Sequence, residues 1–356
     1  VIAAGIPWYT CPFGRDTLLT AYEALPVAPE LARDALAYLA AHQGRREDPD
    51  RDEEPGKIFH EVRTGEMALA GEIPHTPYYG SVDATPLWLI LLSEYFLWTD
   101  DRATVHALLP AAARALEWID RWGDRDGDGL VEYQKRGVRG LDNQGWKDSR
   151  DGVIFADGTV AEPPIALVEV QGYVCDAKRR MAQVYRRLGH AAEAARLAAE
   201  ARSMAQRIDD RFWMAEKGYF AEALDGRKRQ VDAITSNPGH LLWSRAAFPE
   251  RARRVGEVLL GPGMFSGWGI RTLASRQPAY NPLSYHNGTV WPHDNAICAM
   301  GLANYGMNGL AVEILSGLYA ASTWFRHHRL PELFCGLGRM QGDFPVQYPV
   351  ACSPQA

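Results

Sequence analysis

The sequence contains few cysteines and no segment that marks an exported protein. Five cysteines occur in 356 residues, at wide spacings, and no two of them form a Cys-x-x-Cys pair. A disulfide framework or a structural zinc site is therefore not expected, and the odd number of thiols suits a reducing compartment. The first residues have neither the basic region nor the apolar region of a signal peptide. These features together predict a cytoplasmic protein.

Long apolar runs and basic runs are also missing. The longest apolar helical stretch, 86–98, is shorter than the roughly 20 residues that a membrane helix needs, and Ser93 and Glu94 interrupt it. The net charge is −6, with lysines and arginines spread along the chain, whereas nucleic-acid-binding proteins carry a basic face. We therefore expect neither a membrane nor a nucleic-acid partner, and the oligomeric state stays open.

Aromatic residues are the most informative part of the composition. The chain has eleven tryptophans and fifteen tyrosines. Several lie in connections rich in glycine and proline, namely Trp8, Tyr78, Tyr79, Trp146, Trp268, Tyr285 and Trp291. Core packing explains any one of them, but as a group in loops they suit a sugar, whose apolar C–H face can lie on an aromatic ring.

Amphipathic patterns predict ten helices. The predicted ranges are 15–25, 29–43, 84–98, 102–122, 165–188, 191–212, 236–247, 249–260, 292–306 and 309–325. Within each successive pair the connection is very short, which requires an antiparallel helix hairpin. The other connections are long, and one of them is predicted to hold a β-hairpin of strands 219–224 and 227–231 joined by Asp225-Gly226.

The alternation of short and long connections predicts an all-α fold, an (α/α)6 toroidal barrel. Each long loop precedes an inner helix, so the long loops and the small hairpin should share one end of the barrel, where function usually lies. We interpret residues 1–356 as a single catalytic domain. Because a closed barrel of this kind needs twelve helices, ten predict a chain clipped at both ends, without the first outer and the last inner helix. An open solenoid is the alternative, but no 34- or 40-residue repeat is present.

Polar and aromatic motifs precede the inner helices and so predict one pocket at the barrel mouth. They occupy 13–16, 81–85, 145–149, 236–240, 285–295 and 329–333. Glycoside hydrolysis commonly needs two carboxyl groups, one protonated and one ionised, which inverting enzymes hold about 6.5–9.5 Å apart. The candidates near the mouth are Asp16, Glu61, Asp83, Asp148, Asp151, Glu169, Asp294, Glu332 and Asp343.

The residues around these carboxyl groups do not by themselves select two of them. Trp146 is expected to desolvate Asp148 and to raise its pKa, an effect that Lys147 opposes if its side chain faces the same way. Asp16 and Asp83 stand at predicted helix N-termini, where an acidic residue also serves as a cap. Capping and sugar binding are both open for these two residues.

Taken together, the motifs resemble those of the catalytic domain of bacterial amylo-α-1,6-glucosidase and glycogen-debranching-type proteins. The matching segments are 5–16, 79–86, 143–149, 165–173, 285–295 and 329–333, and they span essentially the whole chain. The resemblance implies an (α/α)6 barrel of the clan that includes trehalases and glucoamylases. The domain usually follows a β-rich domain, which this sequence does not contain.

The resemblance also implies the chemistry of the site. It makes Asp148 the general acid and Glu332 the general base of an inverting α-glycosidase without a cofactor. Arg15 and Asp16 would bind hydroxyl groups in the −1 subsite. Three tryptophans would form its walls, namely Trp146, Trp268 and Trp291. The other expected substrate contacts are Trp8, Asp83, Lys147, Glu169, Gln171, His286, Asn287 and His293.

The expected substrate is a small glycoside or an oligosaccharide with α-1,6-linked glucose. Trehalose, glucosylglycerate, mannosylglycerate and a rhamnoside stay open within the same chemistry. A non-catalytic glycan-binding barrel is a further alternative, although binding alone needs no pair of carboxyl groups such as Asp148 and Glu332. A lipid cyclase is disfavoured because no Asp-rich initiation motif is evident.

The acidic turn 124–132, which follows the fourth predicted helix, resembles the first half of an EF-hand calcium loop. An EF-hand would have Glu at its twelfth position, where this sequence has Lys135. A structural calcium site of another kind stays open as an alternative to a plain turn rich in Asx and glycine. Its ligands would be Asp124, Asp126, Asp128 and Glu132.

Overall fold

The computed structural model describes residues 1–340 and 344–355, and most of their regular secondary structure is helical. The helices are α1 (Gly14–Ala24), α2 (Pro29–Ala41), α3 (Glu66–Leu69), α4 (Ala84–Thr99), α5 (Arg102–Trp118), α6 (Val168–Arg187), α7 (Ala191–Phe212), α8 (His240–Trp243), α9 (Pro249–Leu259), α10 (Pro292–Asn304) and α11 (Asn308–Ser322). A π-helical turn, Ile119–Gly123, extends α5. None of the described helices is long and apolar enough to cross a membrane. The candidate carboxylate Asp343 lies outside the described residues.

The helices form two concentric layers, as the alternating loop lengths predict. Neighbours in the inner layer run in the order α1, α4, α6, α8 and α10, while α2, α5, α7 and α11 pack on the outside against α1, α4, α6 and α10. Helix α4 is buried on almost all sides, from Ala84 to Phe96, which is expected of an inner helix. The all-α (α/α)6 fold is confirmed, and one continuous apolar core joins Leu18 in α1 to Ala321 in α11.

Short strands lie in the long loops. They are β1 (Ala3–Gly5), β2 (Tyr9–Pro12), β3 (Ala166–Leu167), β4 (Trp213–Met214), β5 (Tyr219–Phe220), β6 (Ala223–Leu224) and β7 (Gln230–Val231). Strands β1 and β2 pair, as do β4 and β5, and β6 lies between β3 and β7, all antiparallel. Because β3 runs directly into α6, this small sheet stands at the loop end of an inner helix.

The predicted hairpin exists, but its turn differs from the prediction. Strands β6 and β7 pair through Ala223 and Val231, so the turn covers 225–229 instead of two residues. The Asp225 carboxylate accepts hydrogen bonds from the backbone N–H groups of Arg227 and Arg229. Within this turn, Lys228 adopts the left-handed conformation, with φ of 60°. The predicted two-residue turn of Asp225 and Gly226 is therefore wrong.

The helix predicted at 236–247 is shorter than expected. A 3₁₀ turn, Asn237–Gly239, leads into the four-residue α8, and Arg245 then adopts a left-handed conformation that ends it. Helix α8 lies very close to α10: a Cβ on Gly301 would stand 2.6 Å from the backbone nitrogen of Trp243. Glycine at position 301 therefore permits the close contact between α8 and α10.

Candidate active site

A cavity of about 270 Å³ opens at the end of the barrel where the long loops meet. This volume lies just below the range of about 300–1,000 Å³ that is typical of ligand pockets. The predicted site residues that line it are Arg15, Asp16, Trp146, Asp148, His286, Trp291, His293 and Glu332. The structure therefore brings both proposed catalytic carboxyl groups to one cavity, together with residues from four of the six predicted motifs.

Asp148 lies in a polar but poorly solvated part of the cavity. Burial and, to a smaller extent, the neighbouring carboxyl groups of Asp16 and Asp83 raise its pKa to about 7 against the opposing guanidinium of Arg15. Arg15 Nη2 stands 3.7 Å from Asp148 Oδ2. With this pKa a substantial fraction of Asp148 is protonated near neutral pH, as a general acid requires.

Lys147 does not share the cavity with Asp148, which corrects the prediction that it contacts substrate. Its ammonium lies 2.8 Å from Glu222 Oε1 and 3.2 Å from the carbonyl oxygen of Thr272, and both charged side chains are buried. The side chains of Lys147 and Asp148 point to opposite sides of the loop. Lys147 therefore anchors the loop and does not lower the pKa of Asp148. Trp146 lines the cavity together with Asp148, and its contribution to the burial of Asp148 stays a prediction.

Glu332 is held at both carboxylate oxygens. Its Oε1 accepts a hydrogen bond from the hydroxyl of Tyr285, and its Oε2 accepts one from the backbone N–H of Cys352, 2.9 Å away. Burial raises the pKa of Glu332, and the hydrogen bonds from Tyr285 and Cys352 limit the rise by stabilising the ionised form. The carboxylate therefore has a fixed orientation in the cavity wall.

Aromatic rings form the wall next to Asp148. The rings of Trp146 and Trp291 meet edge to face at 5.8 Å, and His293 lies with its edge toward Trp146 at 5.2 Å. His286 stacks on Trp291 at 5.1 Å. Burial lowers the pKa of His293 to about 3 and that of His286 well below its ordinary value, so both imidazoles are neutral at pH 7.

A buried network supports this wall from below. The His240 ring stacks under Trp146 at 6.1 Å, and its two nitrogens contact the hydroxyl of Tyr173 and, at 2.7 Å, the carboxylate of Asp294. His240 belongs to a predicted motif but was not predicted as a site residue. Its position fixes the ring plane of Trp146.

Arg15, which lines the cavity, forms a buried ion pair with Asp83. Arg15 Nη1 lies 3.0 Å from Asp83 Oδ2, while Asp83 Oδ1 accepts a hydrogen bond from Ser81 Oγ at 2.6 Å. Asp83 makes no side-chain bond to the helix N-terminus and does not line the cavity. It is neither a cap nor a direct sugar contact here, and it orients Arg15 instead.

Asp16 lines the cavity itself. Its Oδ1 accepts a hydrogen bond from the side-chain amide of Gln355 at 3.1 Å. Among the described residues, its Oδ2 is buried without a hydrogen-bond partner, and burial raises the pKa of Asp16. Since Phe13 and not Asp16 occupies the N-cap position of α1, and Asp16 lines the cavity, the sugar-binding alternative is the one that its geometry favours.

Glu61 and its polar neighbours Arg63 and His75 also line the cavity. Glu61 contacts Arg63 Nε at 2.6 Å and His75 Nδ1 at 2.8 Å. Burial would raise the pKa of Glu61, but the contacts with His75, His60 and Arg63 outweigh it and lower the pKa to about 2. Glu61 is therefore ionised, with Arg63 as its cationic partner, and is unsuited to proton donation.

Several predicted substrate contacts lie away from the cavity and correct the sequence interpretation. Trp8 is 59 % exposed between β1 and β2, outside the cavity lining. Trp268 is buried under the guanidinium of Arg339, which lies 4.5 Å from the ring centre. Neither ring forms a wall of this cavity, because Trp8 projects into solvent and Trp268 packs behind α11.

Three more predicted contacts support the loops instead of facing the cavity. Gln171 hydrogen-bonds the backbone N–H and carbonyl of Val131, and Asn287 donates to the Asp151 carbonyl at 2.8 Å. Glu169 accepts from the Asn237 amide at 3.0 Å, and burial raises its pKa to about 8. These polar side chains satisfy backbone and loop groups, which sequence alone cannot distinguish from sugar contacts.

The acidic turn has a cation of its own. The Lys228 ammonium lies 2.9 Å from Asp126 Oδ2 and 2.9 Å from Asp128 Oδ2, and it contacts Glu132. Both carboxylate oxygens of Asp124 and the Oδ1 atoms of Asp126 and Asp128 accept backbone N–H bonds. The turn thus has the Asx geometry of the alternative interpretation, and Lys228 supplies a positive charge to it. Carboxylate oxygens of Asp124, Asp126 and Asp128 lie within 4.8 Å of one another, so the calcium site stays a prediction.

Sequence reasoning missed several cavity residues. They are Tyr9, His60, Arg63, His75 and Gln355. His60, Arg63 and His75 belong to a long loop without a recognised motif, and isolated pairings of Glu61 with Phe13 and Tyr78 carry that loop to the cavity. The chemistry-bearing residue types were visible, but these long-range pairings have no local signal.

Comparison with known proteins identifies related folds. The sequence matches the family model described as a mannosylglycerate hydrolase MGH1-like glycoside hydrolase domain over residues 13–327. No curated protein matches it. The structure is similar to GH63 mannosylglycerate hydrolase from Thermus thermophilus in complex with Tris, with a TM-score of 0.71 at 15% identity, covering 97% of this chain and 92% of that chain.

Two further structures of the Thermus enzyme give the same result. The complex with glucose has a TM-score of 0.70 at 17% identity, and the complex with Tris and D-glycerate has 0.69 at 14%. Both matches cover 97% of this chain and 92% of the other. At these identities the likeness establishes the barrel fold, and the family match adds the relationship in sequence.

Proposed function

The chain belongs to the mannosylglycerate hydrolase MGH1-like glycoside hydrolase family, and from this premise we propose that it hydrolyses a small α-glycoside with an acidic aglycone, of the mannosylglycerate or glucosylglycerate type. The observation that carries the proposal is the presence of Asp148 and Glu332 in one small cavity. The α-1,6-glucosidase expected from the motifs is the less favoured substrate assignment, because the family match and the solved relatives concern mannosylglycerate hydrolases.

The proposed reaction uses the two carboxyl groups in different protonation states. Asp148, whose pKa is about 7, donates its proton to the glycosidic oxygen as the bond to the anomeric carbon breaks. Glu332 accepts a proton from a water molecule whose oxygen bonds to the anomeric carbon from the other face. The products are the free sugar with inverted configuration and the aglycone alcohol, and no covalent enzyme intermediate forms.

The unpartnered polar atoms of the cavity walls suit a sugar. Among the described residues, buried atoms without a partner include the acceptors Asp16 Oδ2 and Gln355 Oε1, and also Trp146 Nε1 and His286 Nε2. The indole nitrogen is a donor. A sugar hydroxyl both donates and accepts a hydrogen bond, so one ligand class complements both kinds of atom.

Arg63 supports an acidic aglycone. Its Nε contacts Glu61, while its side chain is 33% exposed and lines the cavity. A guanidinium presents several donors in a planar fork that matches a carboxylate. We place the carboxylate of the aglycone near Arg63 and the sugar between Asp16 and the aromatic wall.

Hydrolysis assays with matched variants test the proposal. Wild type, Asp148→Asn and Glu332→Gln are compared on α-mannosylglycerate, α-glucosylglycerate, isomaltose, maltose and trehalose. We expect turnover of a glycerate glycoside, reduced about 10²–10⁴-fold in either variant. Asp151→Asn is the control, since Asp151 is exposed in the same loop.

Other outcomes would reject parts of the proposal. Undiminished turnover in Asp148→Asn or Glu332→Gln would reject the assigned roles. Hydrolysis of isomaltose in place of the glycerate glycosides would restore the α-1,6-glucosidase assignment. Calorimetric binding of these glycosides without any turnover would indicate a non-catalytic glycan-binding barrel.

A further inference from the structure

We infer that Gln355 is a further substrate-binding residue, which together with Asp16 accepts hydrogen bonds from two hydroxyl groups of the bound sugar. This inference rests on the proposed function, because it specifies how the same cavity recognises the sugar. The relevant observation is a pair of buried acceptors, contributed from opposite ends of the described chain, that meet in the cavity wall.

The placement of Gln355 depends on pairing between distant segments. Gln355 forms an antiparallel bridge with Gly5 of β1. The N–H of Ile6 donates a hydrogen bond to the Pro354 carbonyl at 3.1 Å, and the N–H of Ser353 donates one to the Ile6 carbonyl at 2.9 Å. These backbone bonds hold the segment 353–355 beside β1. They bring the Gln355 side chain to the first turn of α1, where Asp16 lies.

The contact between the two side chains fixes the orientation of the amide. Gln355 Nε2 donates to Asp16 Oδ1 at 3.1 Å. In this orientation the amide presents its NH₂ group to Asp16 and keeps its carbonyl oxygen free for another donor. Asp16 in turn uses one oxygen on Gln355 and keeps the other.

The two remaining oxygens have no donor among the residues that the structure describes. Asp16 Oδ2 and Gln355 Oε1 are both buried without a hydrogen-bond partner, and both side chains line the cavity. Buried polar atoms are nearly always hydrogen-bonded in folded proteins. Two neighbouring exceptions in a cavity wall indicate that a ligand supplies the missing donors.

Two donor side chains of the cavity lining, Arg15 and Trp291, are engaged with other partners. Arg15 directs one nitrogen to Asp83 and another toward Asp148, and Trp291 Nε1 donates to the Tyr285 carbonyl at 2.9 Å. Two acceptors side by side suit two neighbouring hydroxyl groups, a feature of every pyranose. The ligand class that fits the pair is therefore a polyol ring, in agreement with a sugar in the cavity.

A structural role for Gln355, tying the segment 353–355 to α1, would make a different prediction, and deoxy substrates separate the two. The kcat/KM of wild type and Gln355→Leu is measured on the accepted glycoside and on its 2-, 3-, 4- and 6-deoxy analogues. We expect Gln355→Leu to lose about 10- to 100-fold on the parent glycoside and little on the one analogue that lacks the bound hydroxyl.

A control variant and a second active variant keep the test decisive. Gln347→Leu changes an exposed glutamine of the same C-terminal region and should leave all five values unchanged. Asp16→Asn should show the same selective pattern at a neighbouring hydroxyl, and it serves if Gln355→Leu does not fold. Thermal unfolding confirms that each variant is folded before its kinetics are measured.

The results separate failure of the inference from failure of the proposed function. Equal losses on all analogues, or no loss on the parent glycoside, would overturn the role of Gln355 and leave the catalytic pair intact. If no glycoside is hydrolysed by wild type, or if Asp148→Asn and Glu332→Gln remain active, the proposed function itself fails.

Discussion

The hydroxyl of Tyr285 donates a hydrogen bond to Glu332, the carboxylate that we propose as general base. Tyr285 is itself fixed, because its carbonyl oxygen accepts hydrogen bonds from Trp291 Nε1 and Thr289 Oγ1. With the Cys352 N–H on the other oxygen, the base is oriented before substrate binds. Such preorganisation avoids a reorganisation cost during the reaction.

Replacing Tyr285 by phenylalanine removes the hydroxyl and keeps the ring. Because the hydrogen bond from Tyr285 lowers the pKa of Glu332, its loss should raise that pKa further. The base must be ionised, so the acidic limb of kcat/KM should move to higher pH, with kcat about 10-fold lower. The control is Tyr348→Phe, because the ring of Tyr348 packs 5.6 Å from that of Tyr285. If the acidic limbs of Tyr285→Phe and wild type coincide, the proposal that Tyr285 positions Glu332 is contradicted.

The basic limb of the pH profile should report Asp148. A general acid works only while protonated, and the pKa of Asp148 is raised to about 7, so kcat/KM should fall as pH rises past about 7. Arg15 opposes the raised pKa, so Arg15→Gln should move the limb to higher pH while lowering activity. A limb that stays in place in Arg15→Gln would show that another group controls it.

The buried pair of Lys147 and Glu222 should determine the stability of the loop that carries Asp148. Lys147→Met leaves Glu222 buried and unpaired, which should reduce the free energy of unfolding by about 3–5 kcal/mol in urea titrations. The double variant Lys147→Met/Glu222→Gln should recover most of this loss because no charge remains. Equal stability of the single variant and wild type would mean that the ion pair is not formed in solution.

The acidic turn allows a test of the calcium prediction. Because Lys228 contacts Asp126, Asp128 and Glu132, millimolar calcium should not raise the Tm of wild type. In Lys228→Ala the carboxylates repel one another, so Tm should fall and calcium should restore part of it. A calcium-dependent rise in the Tm of wild type would show that the metal displaces Lys228.

Particular residues show which parts of the site the sequence can predict. Asp148 and Glu332 are correctly placed in one cavity because alternating loop lengths bring all motifs to one end of the barrel. The direction of Lys147 is not predictable, since adjacent residues in a loop point to opposite sides according to contacts with distant partners such as Glu222. Gln355 escapes prediction because its contact with Asp16 joins residues at opposite ends of the described chain.

Side chains that serve the fold are the other source of error. Trp268 and Gln171 belong to the residue types of a sugar site, yet one packs against Arg339 and the other bonds the backbone of Val131. A sequence pattern identifies the donor and acceptor types but not their partners. The (α/α)6 fold was predictable because helix periodicity and loop length are local properties, whereas hydrogen-bond partners are not.

The stereochemistry of the released sugar tests the central proposal most directly. Proton NMR during the first turnovers of the accepted α-glycoside, before mutarotation, measures the configuration of the product at the anomeric carbon. Direct attack by water activated by Glu332, with Asp148 as acid, predicts that the β-anomer appears first. Initial release of the α-anomer would contradict this account, because it requires a covalent intermediate or another pair of catalytic groups.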